Sequence, residues 1–180
     1  MEPPDPRLIS LIDELPRVPL IGEAFRHLGP GYPPASGEGA RIQGGRWNPP
    51  DSFPVLYLAL QRETVIAELY RRAEREAVPP ANLLPRHLYR YQVQLHEVLD
   101  LTVQMAAETL GLSAEMIRGV DPSPSQAAGN AAHYAGFEGL RAPSATGIGE
   151  VLAVFSSRLA AGSAVLPAEF EIWDRLPPRP

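Results

Sequence analysis

From Gly29 to Pro54 the chain reads GPGYPPASGEGARIQGGRWNPPDSFP, a glycine- and proline-rich run with no strand or helix period, which feeds directly into VLYLAL, residues 55–60. A loop of that length inside a compact domain is uncommon and is usually part of a functional site. The next twenty or so residues have the opposite character. VLYLAL reads as a buried strand, and in RETVIAELYRRAEREA, residues 62–77, Val65, Ile66, Leu69, Tyr70 and Ala73 recur at helical spacing. The pattern predicts a strand-to-helix unit with a long, structureless functional loop before it.

In HLYRYQVQL the residues Tyr89, Tyr91, Val93 and Leu95 alternate with Arg90, Gln92 and Gln94, the period of a half-exposed strand, and HEVLDLT reads as a second strand after it. SQAAGNAAHYAGFEG, residues 125–139, is alanine-rich and reads as a helix despite its glycines, while EVLAVF and AEFEIWDRL read as late strands. Mixed elements in this order predict an α+β domain, and 180 residues with 44% hydrophobic content suit a single compact one. Prolines cluster at both ends, so residues 1–20 and 177–180 are expected to be extended arms around a domain at 21–176. No internal repeat is present.

Composition removes several chemistries. The chain has no cysteine, which excludes disulfides, thiol nucleophiles and cysteine-ligated metal sites. All sixteen basic residues are arginine, so the lysines required by a P-loop or by Schiff-base catalysis are missing. A net charge of −5 lacks the broad basic surface that tight nucleic-acid binding needs, and no direct nucleic-acid partner is expected. MEPPDPRLISLIDELP shows neither a basic n-region nor an apolar core, and VLYLAL is far too short to cross a bilayer; a cytoplasmic location without membrane contact is the expectation. His27, His87, His96 and His133 show no close metal spacing, so no metal site is expected, and no Gly-x-Ser-x-Gly elbow exists. SGEGA and TGIG each lack the third glycine of a dinucleotide fingerprint.

Three residues around the loop and the strand-to-helix unit have two readings each. Arg46 follows two glycines in GGRWN; it is either a surface arginine paired with an acid or a guanidinium fork projecting from a tight turn to hold phosphate. Tyr57, inside the strand, either packs in the core or gives a flat wall on which a planar heterocycle stacks. Glu68 lies beside the apolar face of its helix, where it either pairs with Arg72 at i+4 or places a carboxylate at a pocket edge, against a ribose hydroxyl and developing positive charge.

SGEGARIQGGRWNPPDSFPVLYLAL followed by TVIAELYRRA closely resembles the signature region of RES-domain proteins, the toxins of bacterial toxin-antitoxin pairs, and within them the MbcT-type NAD phosphorylases. Arg46, Tyr57 eleven residues on, and Glu68 eleven further match in order and spacing. LRAPSATGIGEVLAVF resembles the family's C-terminal core motif, with Ser144 at its serine, and Arg26 in AFRHLG matches an arginine before the signature loop; His27 stands where the family pattern has tyrosine. The resemblance implies a mixed β-sheet flanked by helices, related to ADP-ribosyltransferases of the diphtheria-toxin type. It implies NAD+ as substrate, no resident cofactor, and inorganic phosphate or water as acceptor. Glu68, Arg46 and Tyr57 would be catalytic, with Arg26, His27 and Ser144 also binding substrate. The partner it implies is a small antitoxin of the Xre/MbcA-like kind, in a hetero-oligomer. An ADP-ribosyltransferase acting on a protein, and a non-catalytic interaction module, are the alternatives.

Overall fold

The computed structural model describes residues 3–180. Its elements run α1 (Pro6–Asp13), β1 (Arg17–Leu28), α2 (Glu38–Gln43), β2 (Val55–Ala59), α3 (Arg62–Arg75), β3 (Arg86–Asp100), α4 (Gln104–Thr109), α5 (Ala114–Arg118), α6 (Ser123–Tyr134), β4 (Gly139–Pro143), β5 (Glu150–Phe155) and β6 (Ala164–Trp173), with short 3-10 turns at Pro80–Leu83 and Ser156–Arg158. The mixed sheet with helices outside it is the α+β architecture expected from the sequence.

The sheet closes on itself. Its six strands lie in the order β1-β2-β5-β4-β3-β6, and β1 also pairs with β3 along nearly its whole length, from Arg17↔Leu99 to Leu28↔His87. The result is a five-strand ring with β6 attached to β3. Period-two alternation then sorts side chains inside and out. Leu56, Leu58, Tyr91, Val93, Leu95, Leu152 and Val154 fill the interior of the ring. Val55, Phe155, Leu99 and Leu140 face outward under α1, α4, α5 and α6, and Ile66 and Leu69 of α3 close a third cluster over Ala59, Leu88 and Trp173.

HEVLDLT is not a separate strand. β3 runs on through it because the strand changes partner rather than ending: β6 occupies one edge as far as Gln94, and β4 takes that edge, in parallel, from Val98 to Asp100.

The chain before residue 21 is not an extended arm. Asp5 accepts a hydrogen bond from the Arg7 amide at 2.9 Å, and Pro6 opens the helix where its missing N–H has no partner to lose. Ile12 is then fully buried in the main core. The tail at 177–180 is extended but docked on α3: the Tyr70 hydroxyl donates to the Pro177 carbonyl at 2.7 Å, and Arg179 pairs with Glu74 at 3.0 Å. The long loop is also structured, through α2 and a backbone bridge between Gly45 and Asn48. α6 stops at Tyr134, short of residue 139, and Gly136 at φ 87° turns the chain toward β4.

Gly129 sits mid-helix for a steric reason. A Cβ there would overlap the Trp47 carbonyl oxygen, so the bare helix surface is what lets the GGRWN loop press onto α6.

Candidate active site

Tyr57 fixes the loop that carries Arg46. The strand projects its ring toward the helical side, where the hydroxyl accepts from the Trp47 amide at 2.8 Å and donates to Asn48 Oδ1 at 2.8 Å. Burial pushes the phenol well above its usual range, so it stays protonated and keeps both bonds. Gly45 lies flat against this ring, where a Cβ would overlap the hydroxyl oxygen. Asn48, fully buried, extends the brace by donating to the Ala40 carbonyl at 2.7 Å, and Gln126 of α6 donates to the Gly45 carbonyl at 2.9 Å. The turn is therefore held from three sides.

Arg46 projects half-buried from this turn and donates to the Gly119 carbonyl at 2.8 Å and to the Asp121 carbonyl at 3.5 Å. No carboxylate forms an ion pair with it among the described residues. Burial pulls its guanidinium below the ordinary value, and neighbouring Arg71 adds to that pull while Glu68 opposes it. A charged fork resting on neutral carbonyls remains available to an anion.

Glu68 does not pair with Arg72, which instead bonds Glu76 at 2.7 Å. Its Oε1 accepts a 2.9 Å hydrogen bond from the fully buried Ser144 hydroxyl. Ser144 Oγ also accepts from the Thr146 amide at 3.1 Å and lies 2.8 Å from Thr146 Oγ1. A serine has one proton to give, and the carboxylate can only accept, so that proton goes to Glu68; the Thr146 hydroxyl is left to donate to Ser144 or to the Ile148 carbonyl, 3.4 Å away. This network fixes one carboxylate oxygen and leaves the half-buried group's other oxygen for a ligand.

Arg26 and His27 do not share a site. Adjacent on β1, they face opposite sides of the strand. Arg26 lies on the side of buried Ala24 and donates to the Ser36 carbonyl at 3.0 Å, bracing the start of the long loop. Tyr91 joins it by donating to the Pro34 carbonyl at 2.8 Å. His27 faces Trp173, ring centroids 6.2 Å apart, and its Nδ1 accepts from Arg86 Nε at 3.0 Å. Burial first, then the Arg86 charge, lower its pKa to about 3, so it is neutral. The contacts thus join Glu68 to Ser144 and Tyr57 to the Arg46 turn, and give Arg26 and His27 separate surroundings.

Asn48, Thr146, Arg71 and Arg118 also belong to these surroundings, and the sequence alone does not single them out. Asn48 and Thr146 stand beside residues it did identify, and the Ser-x-Thr spacing of a hydroxyl-capped turn is the signal that marks Thr146. A cavity of ≈ 380 Å³ lies next to the Glu68 network, lined by Ala67, Arg71, Arg118, Ala145 and Thr146 among others. None of the sequence-predicted site residues lines it directly; Thr146 connects it to Ser144 and Glu68. A second cleft of ≈ 420 Å³ is a seam between Arg62, Trp173 and the C-terminal tail, away from that network.

A pinned carboxylate near an arginine that forms no ion pair among the described residues suits stabilisation of a cationic sugar attached to a phosphate-bearing group. Known proteins share this fold. The RES domain model matches residues 20–174. The chain is 35% identical over 164 residues to the NAD(+) phosphorylase MbcT of Mycobacterium bovis, covering 90% of this chain and 88% of that one, and matches its Mycobacterium tuberculosis counterpart equally. The crystal structure of the M. tuberculosis MbcT-MbcA toxin-antitoxin complex superposes with a TM-score of 0.81 at 31% identity, over 92% of this chain and 91% of that one. The chain belongs to the RES-domain family.

Proposed function

We propose that this chain is the toxin of a toxin-antitoxin pair and degrades NAD+ by cleaving its nicotinamide–ribose bond, with inorganic phosphate as acceptor. The observation that carries the reading is the Glu68 carboxylate, fixed through one oxygen by buried Ser144 and lying near an Arg46 that forms no ion pair among the described residues. Nicotinamide in NAD+ is a cationic pyridinium and leaves as a neutral molecule, so no general acid is needed. The site has to stabilise the oxocarbenium-like ribose and orient it. Glu68 does the first through its free oxygen, against a ribose hydroxyl. Ser144 holds the carboxylate, Arg46 takes a phosphate of the dinucleotide, and Tyr57 both braces the Arg46 turn and offers its remaining ring surface to nicotinamide. Arg26 and His27 contribute at a distance: Arg26 sets the long loop, and His27, uncharged, adds no cation to an arginine-rich surface.

The similarity to MbcT, solved with its antitoxin, supports both the activity and an antitoxin partner for this chain. The test is nicotinamide release from NAD+ by purified protein and by Glu68→Ala. The wild type releases nicotinamide and the variant loses at least about a hundredfold in rate while keeping its circular dichroism spectrum. A variant with undiminished turnover removes Glu68 from the mechanism.

A further inference from the structure

Two further arginines face the space beside Glu68, and neither has an acidic partner among the described residues. Arg71 stands one helical turn after Glu68 on α3 and donates to the Ala145 carbonyl and, at 3.4 Å, to that of Arg118. The exposed Arg118 reaches back from the end of α5, and its guanidinium lies against Gly147, 3.7 Å from where a Cβ would stand. Both line the ≈ 380 Å³ cavity, together with Thr146, whose amide and hydroxyl address Ser144 and thus Glu68. The remaining side-chain charges in that lining are Arg179 and Glu74, which neutralise each other at 3.0 Å. Two guanidinium charges are left over, and their fork geometry suits a tetrahedral oxyanion.

We infer that Arg71 and Arg118 form the site for the accepting phosphate, an inference that rests on the phosphorolytic reading above. A phosphate oxygen bonds to ribose C1 as the bond from C1 to the pyridinium nitrogen breaks. The bonding pair leaves with nicotinamide, and the phosphate proton is lost to water from the resulting ester. Arg71 stands one helical turn from Glu68, and Thr146 joins this cavity to the Ser144–Glu68 network, so that nucleophile and cationic sugar would meet at the boundary of the two.

The test uses the full chain, with phosphate titrated calorimetrically in the absence of NAD+ and steady-state kinetics run against each substrate separately. Arg118→Gln and Arg71→Gln each weaken phosphate binding and raise the phosphate KM about tenfold or more, leave the NAD+ KM within about twofold, and shift product toward free ADP-ribose. The exposed Arg7→Gln, which removes equal charge elsewhere, changes none of these. Arg118→Gln stands alone if Arg71→Gln disturbs the turn it braces. A raised NAD+ KM with unchanged phosphate KM would assign these arginines to the dinucleotide diphosphate and overturn the inference, as would no effect on either. Should the wild type release no nicotinamide, the functional reading fails, while phosphate binding to wild type but not to the variants still establishes the anion site.

Discussion

Ser144 has one proton, and it goes to the Glu68 carboxylate, which can only accept, rather than to the Thr146 hydroxyl, which can do either. Ser144→Ala removes that constraint without removing the carboxylate, so kcat for nicotinamide release falls about ten- to a hundredfold while the NAD+ KM changes little. Stopped assays at saturating and limiting NAD+ separate the two; a rise in KM alone would make Ser144 a binding residue only. Tyr57 carries a different weight. Its hydroxyl makes two hydrogen bonds to the Arg46 turn, and Tyr57→Phe strands the Trp47 amide and Asn48 Oδ1 inside the protein. Urea denaturation is expected to show a loss of about 1–3 kcal/mol, with weaker NAD+ binding as Arg46 loses its fixed base.

At the scale of elements, α6 and the GGRWN loop are coupled through Gly129. On propensity alone Gly129→Ala stabilises a helix by about 1 kcal/mol, but here the added methyl overlaps the Trp47 carbonyl, so the melting temperature falls and NAD+ turnover falls with it. A higher melting temperature would show that the loop packs elsewhere. The same coupling marks the limit of what is legible in the sequence. β2 and α3 can be read because their apolar spacing matches their burial, and the upper half of β3 can be read because only one face is covered. β1 cannot: RVPLIGEAFRHL puts a proline, a glycine and charges on a strand whose partner, β3, lies far along the chain. α1 is hidden by the prolines that read as an arm, although Asp5 and Pro6 are a good helix start. Arg46, Tyr57 and Glu68 are legible by spacing, yet the chemistry between them is not. Ser144 reaches Glu68 across 76 residues, and Arg71 meets Arg118 across 47. Contacts of that separation leave no local period.

For the whole molecule, acid sensitivity follows from buried His133 and half-buried His27. His27 is held down to about 3 by burial and Arg86, and His133, stacked on Phe53 with centroids 3.8 Å apart, is held to about 4 by burial and Arg158. Unfolded histidines titrate near about 6.5. Below that pH the unfolded chain takes up protons that the fold refuses, so this contribution to stability is complete above about pH 6.5 and declines as pH falls toward about 4. The urea midpoint should drop across that window, and a His27→Asn, His133→Gln double variant should show a shallower drop; an unchanged slope would shift the cause to the carboxylates. In the proposed reaction, Glu68 pinned by Ser144 and arginines that form no ion pair among the described residues pass ADP-ribose from NAD+ to phosphate. Incubating antitoxin-free protein with NAD+ and ¹⁸O-labelled phosphate, and weighing the products, tests it most directly. Nicotinamide and a phosphorylated ADP-ribose retaining the labelled phosphate are the expected products, whereas intact NAD+, unphosphorylated ADP-ribose alone, or ADP-ribosylated protein would rule phosphorolysis out.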